Sequence, residues 1–342
     1  MELEKIRSAR VRGIMLLFIC LLGIALIINI SWGSIKIDVQ EIIAVLKGQS
    51  ENVVHNSVIW KIRLPRTLAA LLGGAALAVA GLLLQVFFRN PIVEPFVLGI
   101  SSGATLMVGL VILAGFSFGM ESISPYLIIV SALAGAILVM CIVLLLSLKV
   151  RSIVTLLVIG LMVGYSCSAV TSILTALADR DRVHGFVIWS MGSFSNYTWD
   201  QVAIVAAVII PFLAATFLIC KPLNAFLMGE EYAKSMGVNI KLFRFVVVAL
   251  ASVLAAIVTA FTGPVSFIGM AIPHICRILF QAADNRILIP GTILGGAVIT
   301  SLCDLAARML ISPIELPISA ITSIFGAPII VFMLLKRRTD MQ

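Results

Sequence analysis

Long apolar runs separated by short polar segments fill the chain, and each run approaches the length of a helix that crosses a membrane. The hydrocarbon layer needs about 20 apolar residues per helix. The pattern predicts ten membrane elements, at about 14–30, 68–88, 96–113, 126–148, 153–177, a sixth that ends near 220, 243–261, a short eighth that ends near 280, 287–310, and a last element broken at Gly326–Pro328. We therefore predict an all-α polytopic membrane protein in which residues 1–342 form a single transmembrane domain.

Composition supports the same class of protein. The chain is 61% hydrophobic and 12% charged, with a mean hydropathy of +1.17, which is far more apolar than a soluble domain requires. All six cysteines lie inside apolar runs without CxxC spacing, and the three histidines lie in three separate regions. We expect no disulfide framework and no metal site.

The N-terminus offers two interpretations. A charged lead, residues 1–13, precedes the first apolar run and suits either a retained helix or a signal peptide. No small-x-small cleavage site closes the run, which favours a retained helix. The mixed segment 34–60 that follows contains VQEIIAVL, whose apolar residues recur at helical spacing, and it predicts a surface helix on the outer side.

The distribution of basic residues orients the chain. With both termini in the cytoplasm, 16 of the 24 lysines and arginines lie on the inner side and 8 on the outer side. This excess agrees with the positive-inside rule. The charges are spread over six separated segments, so they face anionic lipid rather than forming a nucleic-acid surface.

Residues 221–244 form the longest polar interruption of the apolar pattern. Charged and large apolar side chains stand side by side in it: Glu230, Glu231, Lys234, Leu227, Met228, Tyr232 and Met236. The spacing predicts a short amphipathic helix that ends at Gly237 as its C-cap, with a second short helix after it. On pattern alone, this segment is either a solvated connector or a helix with one face against a partner.

A few polar residues lie within apolar runs, where burial makes them costly. Gln85 and Asp304 are the clearest cases, and Asp304 is expected to form a structural ion pair with Arg308, one helical turn away. Glu94 precedes a proline-marked helix start and is expected to cap it. No chain of acids and histidines accompanies Asp304, so a proton relay is the less favoured interpretation.

Small residues crowd the second predicted span between Gly73 and Gly81, which predicts backbone contact with neighbouring helices. The pentapeptide LLGGA at residues 71–75 returns as ILGGA at 293–297, and Pro91 and Pro95 return as Pro313 and Pro317 at the same offset. The two segments cross in opposite directions in the predicted topology. This pattern suggests an inverted repeat.

Five segments together resemble the permeases of the vitamin B12 and iron-siderophore (FecCD/BtuC-type) ABC importers, which include haem importers. They are Arg63–Ala104, IWSMGSF at 188–194, GEEYAKSMGV at 229–238, GPVSFIGMAIPHICR at 263–277 and Ile314–Arg338, in that order. The resemblance covers almost the whole chain. It implies the architecture of a type II ABC importer permease, located in a bacterial inner membrane.

The resemblance also implies partners. It predicts a homodimer with the pathway at its interface, two ABC ATPase subunits on the cytoplasmic side and an extracytoplasmic substrate-binding protein. The chain has no GxxxxGK[ST] loop and no nucleophile–base pair, so we expect a non-catalytic subunit without a cofactor, with ATP and Mg²⁺ on the ATPase chain. An ion- or proton-coupled secondary transporter is the alternative, which would need paired intramembrane charges.

The family motifs assign three groups of residues in this chain. The expected ATPase contacts are Gly229, Glu230, Glu231, Ala233, Lys234 and Gly237. The expected binding-protein contacts are Arg63, Arg66 and Arg308. The expected pathway residues are Thr155, Gly160, Met162, Gly164, Ser166, Thr171, Ser172, Ser319, Thr322 and Ser323. Ile153 and Val154 replace the small hydroxyl residues of some relatives, which leaves the inner gate undefined, and ferric siderophore, haem and cobalamin all remain open as substrates.

Overall fold

The computed structural model describes residues 2–33, 37–115, 124–150 and 152–339, with side chains over 8–33, 37–115, 124–147, 149–150 and 152–331. These ranges contain helices and connecting segments but no strand. The α-helices are α1 (Glu2–Ser31), α2 (Val39–Leu46), α3 (Val53–Ser57), α4 (Leu64–Phe88), α5 (Ile100–Ile112), α6 (Pro125–Lys149), α7 (Ile153–Leu177), α8 (Arg180–Met191), α9 (Trp199–Leu218), α10 (Cys220–Leu227), α11 (Glu230–Ser235), α12 (Ile240–Thr262), α13 (Ile268–Phe280), α14 (Asn285–Met309) and α15 (Ile318–Thr339). A π-helical turn, Val58–Arg63, leads into α4, and a 3₁₀ turn, Pro95–Leu98, precedes α5.

Ten of these helices correspond to the ten predicted membrane elements. Seven helical segments of the described chain are long and apolar enough to cross a membrane: Ser8–Ser31, Val53–Phe88, Pro125–Ser147, Ile153–Leu177, Trp199–Leu218, Ile240–Thr262 and Asn285–Met309. Three apolar helices are shorter: Ile100–Ile112, Ile268–Phe280 and Ile318–Val331. The all-α polytopic fold is thereby confirmed. Of the basic residues counted for orientation, Lys36 and Arg151 lie outside the described residues.

Helix α4 lies at the centre of the bundle and packs against α14, α12 and α13. Its small residues allow backbone contact, as predicted. A methyl group added to Gly74 would overlap the carbonyl oxygen of Gly296, and one added to Gly296 would overlap the carbonyl oxygen of Gly74. The two repeated GGA sequences therefore meet each other across the α4–α14 interface.

The chain breaks near Pro91 and Pro95 as predicted. The predicted break at Gly326–Pro328 is wrong, because α15 runs continuously through Pro328. Arg89 ends α4 in the left-handed region with φ of 49°, and the Asn90 amide donates to the Gln85 carbonyl at 3.1 Å. Glu94, however, does not cap the turn that follows it. Its carboxylate accepts a hydrogen bond from the Phe267 amide at 3.1 Å, at the start of α13. The predicted cap of the adjacent turn is therefore wrong, because Glu94 bonds the residue before α13 instead.

The break between α12 and α13 at Gly263–Pro264 also matches the prediction. Residues from two other helix ends form hydrogen bonds with this break. The Ser193 amide donates to the Thr262 carbonyl at 2.8 Å, and the Ser319 hydroxyl donates to the Pro264 carbonyl at 2.6 Å. The ends of α8 and α12 and the start of α15 are therefore held together.

Candidate functional site

The polar stretch 221–244 folds as α10, α11 and the first turn of α12. Gly237 ends α11 as predicted, with φ of 84°. Its amide donates to the Lys234 carbonyl at 3.0 Å, and the Val238 amide donates to the Ala233 carbonyl at 3.0 Å, which is the Schellman pattern. The predicted second helix after Gly237 is wrong. Asn239 already caps α12 there, so the extra break lies earlier, at Gly229.

Aromatic packing fixes α10 to the C-terminal end of α4. Phe226 is fully buried. Its ring stacks against that of Phe87, with the ring centroids 6.1 Å apart, and the centroid of the Phe243 ring of α12 lies 4.7 Å away. The Arg89 guanidinium lies 4.9 Å above the Phe226 ring. Such cation–π and ring contacts add to the burial energy of the aromatic side chain. The segment is therefore anchored to the central helix.

A hydrogen-bonded cluster attaches α10 to α14 as well. The Asn224 amide group donates to Asp284 at 2.6 Å. Its carbonyl oxygen accepts from the Asn285 backbone amide at 2.9 Å. The same side chain thus bonds both the N-cap residue and the first residue of α14.

An ion pair attaches α11 to α12. Arg244 donates to both carboxylate oxygens of Glu230 from one terminal nitrogen, at 2.8 and 2.9 Å. Its other terminal nitrogen donates to the Val150 carbonyl, at the end of α6, at 3.0 Å. Glu230, expected from the family motif to contact an ATPase, therefore already forms an internal bond. Its ATPase contact stays a prediction.

The opposite side of this segment carries large apolar side chains without intramolecular cover. Met228 is 76% exposed, Met236 is 64% exposed and Tyr232 is 50% exposed. Glu231 and Lys234 are exposed beside them, and charged side chains are costly to place in hydrocarbon. Exposed apolar clusters with a polar rim mark interaction sites. The family motif did not assign these three residues, although the amphipathic pattern already contained them. Of the contacts that it did assign, Ala233 is fully buried.

Helix α7 carries most of the predicted pathway residues, and the structure divides them between two faces. One narrow stripe packs inside the subunit: Leu156, Gly160, Gly164, Cys167 and Thr171. The other face is exposed and includes Thr155, Met162, Ser166 and Ser172. Gly160, Gly164 and Thr171 lie on the packed stripe, and their pathway roles stay a prediction. The two glycines allow close packing, because Gly160 faces Leu98 and Gly164 faces Gly99.

The predicted pathway residues of α15 divide in the same way. Thr322 is 2% exposed, whereas Ser319 and Ser323 are half-buried. The pathway roles of all three residues stay a prediction. Ser319 bonds the Pro264 carbonyl, but one serine on each helix donates a hydrogen bond within its own helix. Ser172 donates to the Ser168 carbonyl at 2.9 Å, and Ser323 donates to the Ser319 carbonyl at 2.6 Å. Hydroxyls satisfied in this way leave a weakly polar, uncharged surface.

The buried acid Asp304 has a different partner from the one predicted. Arg66 holds it bidentately, with Nε–Oδ2 and Nη2–Oδ1 distances of 2.9 Å each, and also donates to Glu315 at 2.7 Å. The predicted pair with Arg308 is wrong. Arg308 turns toward α1, where it donates to the backbone and side-chain oxygens of Asn29 at 2.8 Å.

The three arginines expected to receive a binding protein are all used inside the chain. Arg63 is buried and donates to the Ile30 and Ser31 carbonyls, at the C-terminus of α1, where a cation is favourable. Arg66 is 5% exposed and Arg308 is half-buried. An acidic side chain from another protein would have to displace an internal acceptor to bind Arg63 or Arg66. Their docking role stays a prediction.

The described part of the chain offers no group of three or more histidine, cysteine or acidic residues placed to hold a metal ion. The polar sites are instead ion pairs and hydrogen bonds that join helices. The features left open to another molecule are the apolar surface of 227–236 and the exposed face of α7.

Comparison with known proteins assigns this fold to a family. The sequence model of the FecCD transport family matches residues 21–336. The chain belongs to the FecCD transport family. Two relatives of this FecCD permease are the hemin transport system permease protein HmuU of Yersinia pestis, 35% identical over 84% of this chain and 87% of the relative, and the vitamin B12 import system permease protein BtuC of Escherichia coli, 36% identical over 82% and 84%.

A solved structure has the same fold. A metal-chelate type ABC transporter in an inward-facing conformation superposes with a TM-score of 0.84 at 31% identity, over 95% of this chain and 99% of that one. The family resemblance seen in the sequence is thereby confirmed. This FecCD chain is a polytopic membrane permease of the ABC importer class.

Proposed function

We propose that this chain is the membrane subunit of an ATP-driven importer for a bulky chelate, namely a ferric siderophore, haem or cobalamin. The observation that carries the proposal is the exposed apolar surface of residues 227–236. It lies on a segment firmly attached to α4, α12 and α14. Because the surface is exposed while its segment is attached to these three helices, a partner that binds there could move the helices with it.

The partner at this surface is an ABC ATPase subunit. A short amphipathic helix laid into a groove is a common recognition mode, with apolar anchors at the centre and charges at the rim. Met228, Tyr232 and Met236 supply the anchors, and Glu231 and Lys234 supply the rim. ATP and Mg²⁺ belong to the ATPase chain, and this subunit holds no cofactor.

The pathway lies between two copies of the chain. Most of the circumference of α7 is exposed, and α15 exposes Ile324 and Phe325, so a second copy could cover both helices. A weakly polar wall of serines and apolar residues suits a large chelate that passes without being held tightly. The relatives transport hemin and vitamin B12, which supports this class of substrate.

The remaining assignments follow from the same proposal. An extracytoplasmic binding protein delivers the chelate at the outer face, near Arg308 and the exposed carboxylate of Glu315. Both termini are cytoplasmic and the membrane is the bacterial inner membrane. Net charge of +8 with a basic inner rim agrees with this orientation.

Reconstitution tests the proposal. Purified permease, its ATPase chain and its binding protein are combined in liposomes, and uptake of haemin, cyanocobalamin and a ferric hydroxamate is measured with and without ATP. We expect uptake of one of these chelates to require hydrolysable ATP and to persist when ion gradients are collapsed. Uptake driven by a proton gradient without ATP would support a secondary transporter instead and contradict the proposal.

A further inference from the structure

One guanidinium joins three helical elements at the inner side of the molecule. Arg244, in the first turns of α12, is 7% exposed. It holds the Glu230 carboxylate of α11 at 2.8 and 2.9 Å and the Val150 carbonyl after α6 at 3.0 Å. Both acceptors precede the arginine in sequence, Glu230 by 14 residues and Val150 by 94 residues.

These bonds resist separation because their donor is buried. A guanidinium cannot lose its proton under ordinary conditions, and burying it without acceptors is strongly unfavourable. Its planar fork also fixes the direction of each hydrogen bond. If α11 moves, Arg244 and the Val150 carbonyl must follow it, or the charge is left unpaired.

The Val150 end of this link leads directly into α7. Ser152 caps α7 by accepting the Thr155 amide at 3.2 Å, so the position of the α6–α7 junction, Val150 and Ser152, sets the first turn of α7. That turn carries the exposed Thr155. A displacement of α11 can thus reach the inner end of the exposed helix through these hydrogen bonds and the covalent chain between Val150 and Ser152.

We propose that Arg244 is a positioning residue that makes α11 and the α6–α7 junction move together, so that a partner bound at residues 227–236 also moves the inner end of α7. This inference rests on the proposed ATPase contact. It assigns to Glu230 a role inside the subunit, as the acceptor through which α11 pulls on Arg244. Phe226 and Asn224, by contrast, attach α10 to α4 and α14.

A distance measurement within one chain tests the link. Spin labels are placed at Lys149→Cys, at the exposed end of α6, and at Ser235→Cys, on the exposed side of α11. The exposed Cys20 and Cys141 are replaced by alanine. Pulsed electron resonance on the complex with its ATPase chain then gives the distance distribution, nucleotide-free and with Mg²⁺ and a slowly hydrolysed ATP analogue.

The label pair should give one narrow distance in both states, because the two sites belong to one linked unit. Glu230→Gln keeps the side-chain volume but removes the charge, and Arg244→Lys keeps the charge but removes the fork. Each variant should add a second, nucleotide-dependent distance in more than about 10% of molecules. Lys241→Gln, an exposed basic residue three positions before Arg244, is the matched control and should keep the single distance.

Unchanged narrow distances in both Glu230→Gln and Arg244→Lys would overturn the inference, as would a nucleotide-dependent distance in the unmodified pair. Co-purification of the ATPase chain is recorded on the same samples. Loss of the ATPase chain from every sample, including the unmodified one, would instead refute the proposed ATPase contact. ATP hydrolysis that continues in Glu230→Gln while the distances separate would distinguish lost transmission from lost binding.

Discussion

Helices α4 and α7 have the same length and hydropathy but opposite surroundings. Each has 25 residues, and the most apolar window of each has a mean hydropathy of 2.2. That window is 83% buried for the segment ending in α4 and 22% buried for α7. Hydropathy therefore detects both spans but does not tell the central helix from the peripheral one.

The distribution of small residues explains the difference. Glycine and alanine lie on every side of α4 between Gly73 and Gly81, so neighbours approach it all round. The glycines of α7 lie on one stripe, at Gly160 and Gly164, and only that stripe packs inside the subunit. The exposed remainder of α7 is what a second copy, a substrate or lipid can contact.

The largest expected effect is a bulky side chain at the centre of α4. Gly74→Leu would force the leucine into the backbone of α14 at Gly296. Overpacking of a buried site costs about 1–3 kcal/mol or more, and here no flexible side chain can yield. We expect loss of monodisperse protein in size-exclusion chromatography. Gly23→Leu on α1, where a methyl group meets open space, is the control and should leave the yield unchanged; equal yields would contradict the packing account.

The second expected effect concerns the charge that α4 buries. Asp304→Asn removes the bidentate acceptor of Arg66 and leaves Glu315 as its remaining carboxylate. Breaking a buried pair costs about 3–5 kcal/mol in soluble proteins. A fall in the thermal midpoint of the detergent-solubilised protein measures it.

Glu315→Gln provides the comparison for this ion pair. The Glu315 side chain is 44% exposed, so its loss should cost less than about 1 kcal/mol. Equal midpoints for the two variants would show that the Asp304 pair does not stabilise the central helix.

The smallest expected effect on stability lies on the exposed face of α7. Ser172→Trp should fold and insert normally, because its side chain is exposed and its hydroxyl bonds only its own helix. The same variant should block uptake if this face lines the pathway. Leu177→Trp, at an 80% exposed position at the end of α7, is the matched control. Normal uptake by Ser172→Trp would move the pathway away from this face.

Local sequence patterns proved sufficient for local structure. Gly237 was recognised as a helix end because its left-handed conformation and Schellman bonds involve only its neighbours. The breaks near Pro91 and Pro264 and the ten apolar elements follow from equally local rules. Pro328 is the exception, because it lies inside the continuous helix α15. These features together define most of the fold.

Contacts between distant residues could not be predicted from spacing. Asp304 was matched with Arg308, one turn away, whereas its partner Arg66 lies 238 positions away. Glu94 similarly bonds Phe267, 173 positions away. The side of α7 that packs against the bundle could not be predicted either, because a helix that is apolar on most sides has no distinct polar face. Thr171 and Thr322 were assigned to the pathway from the family resemblance, which did not reveal that both are buried within the subunit.

The central claim is that residues 227–236 contact an ABC ATPase, and photo-crosslinking tests it most directly. A benzophenone amino acid is introduced at Met236 or, as a control, at Leu177, which is also apolar and exposed but lies on α7, and membranes that contain the whole transporter are irradiated. We predict a crosslink to the ATPase chain from position 236 and none from position 177. Absence of the crosslink from position 236, or equal crosslinks from both positions, would contradict the account.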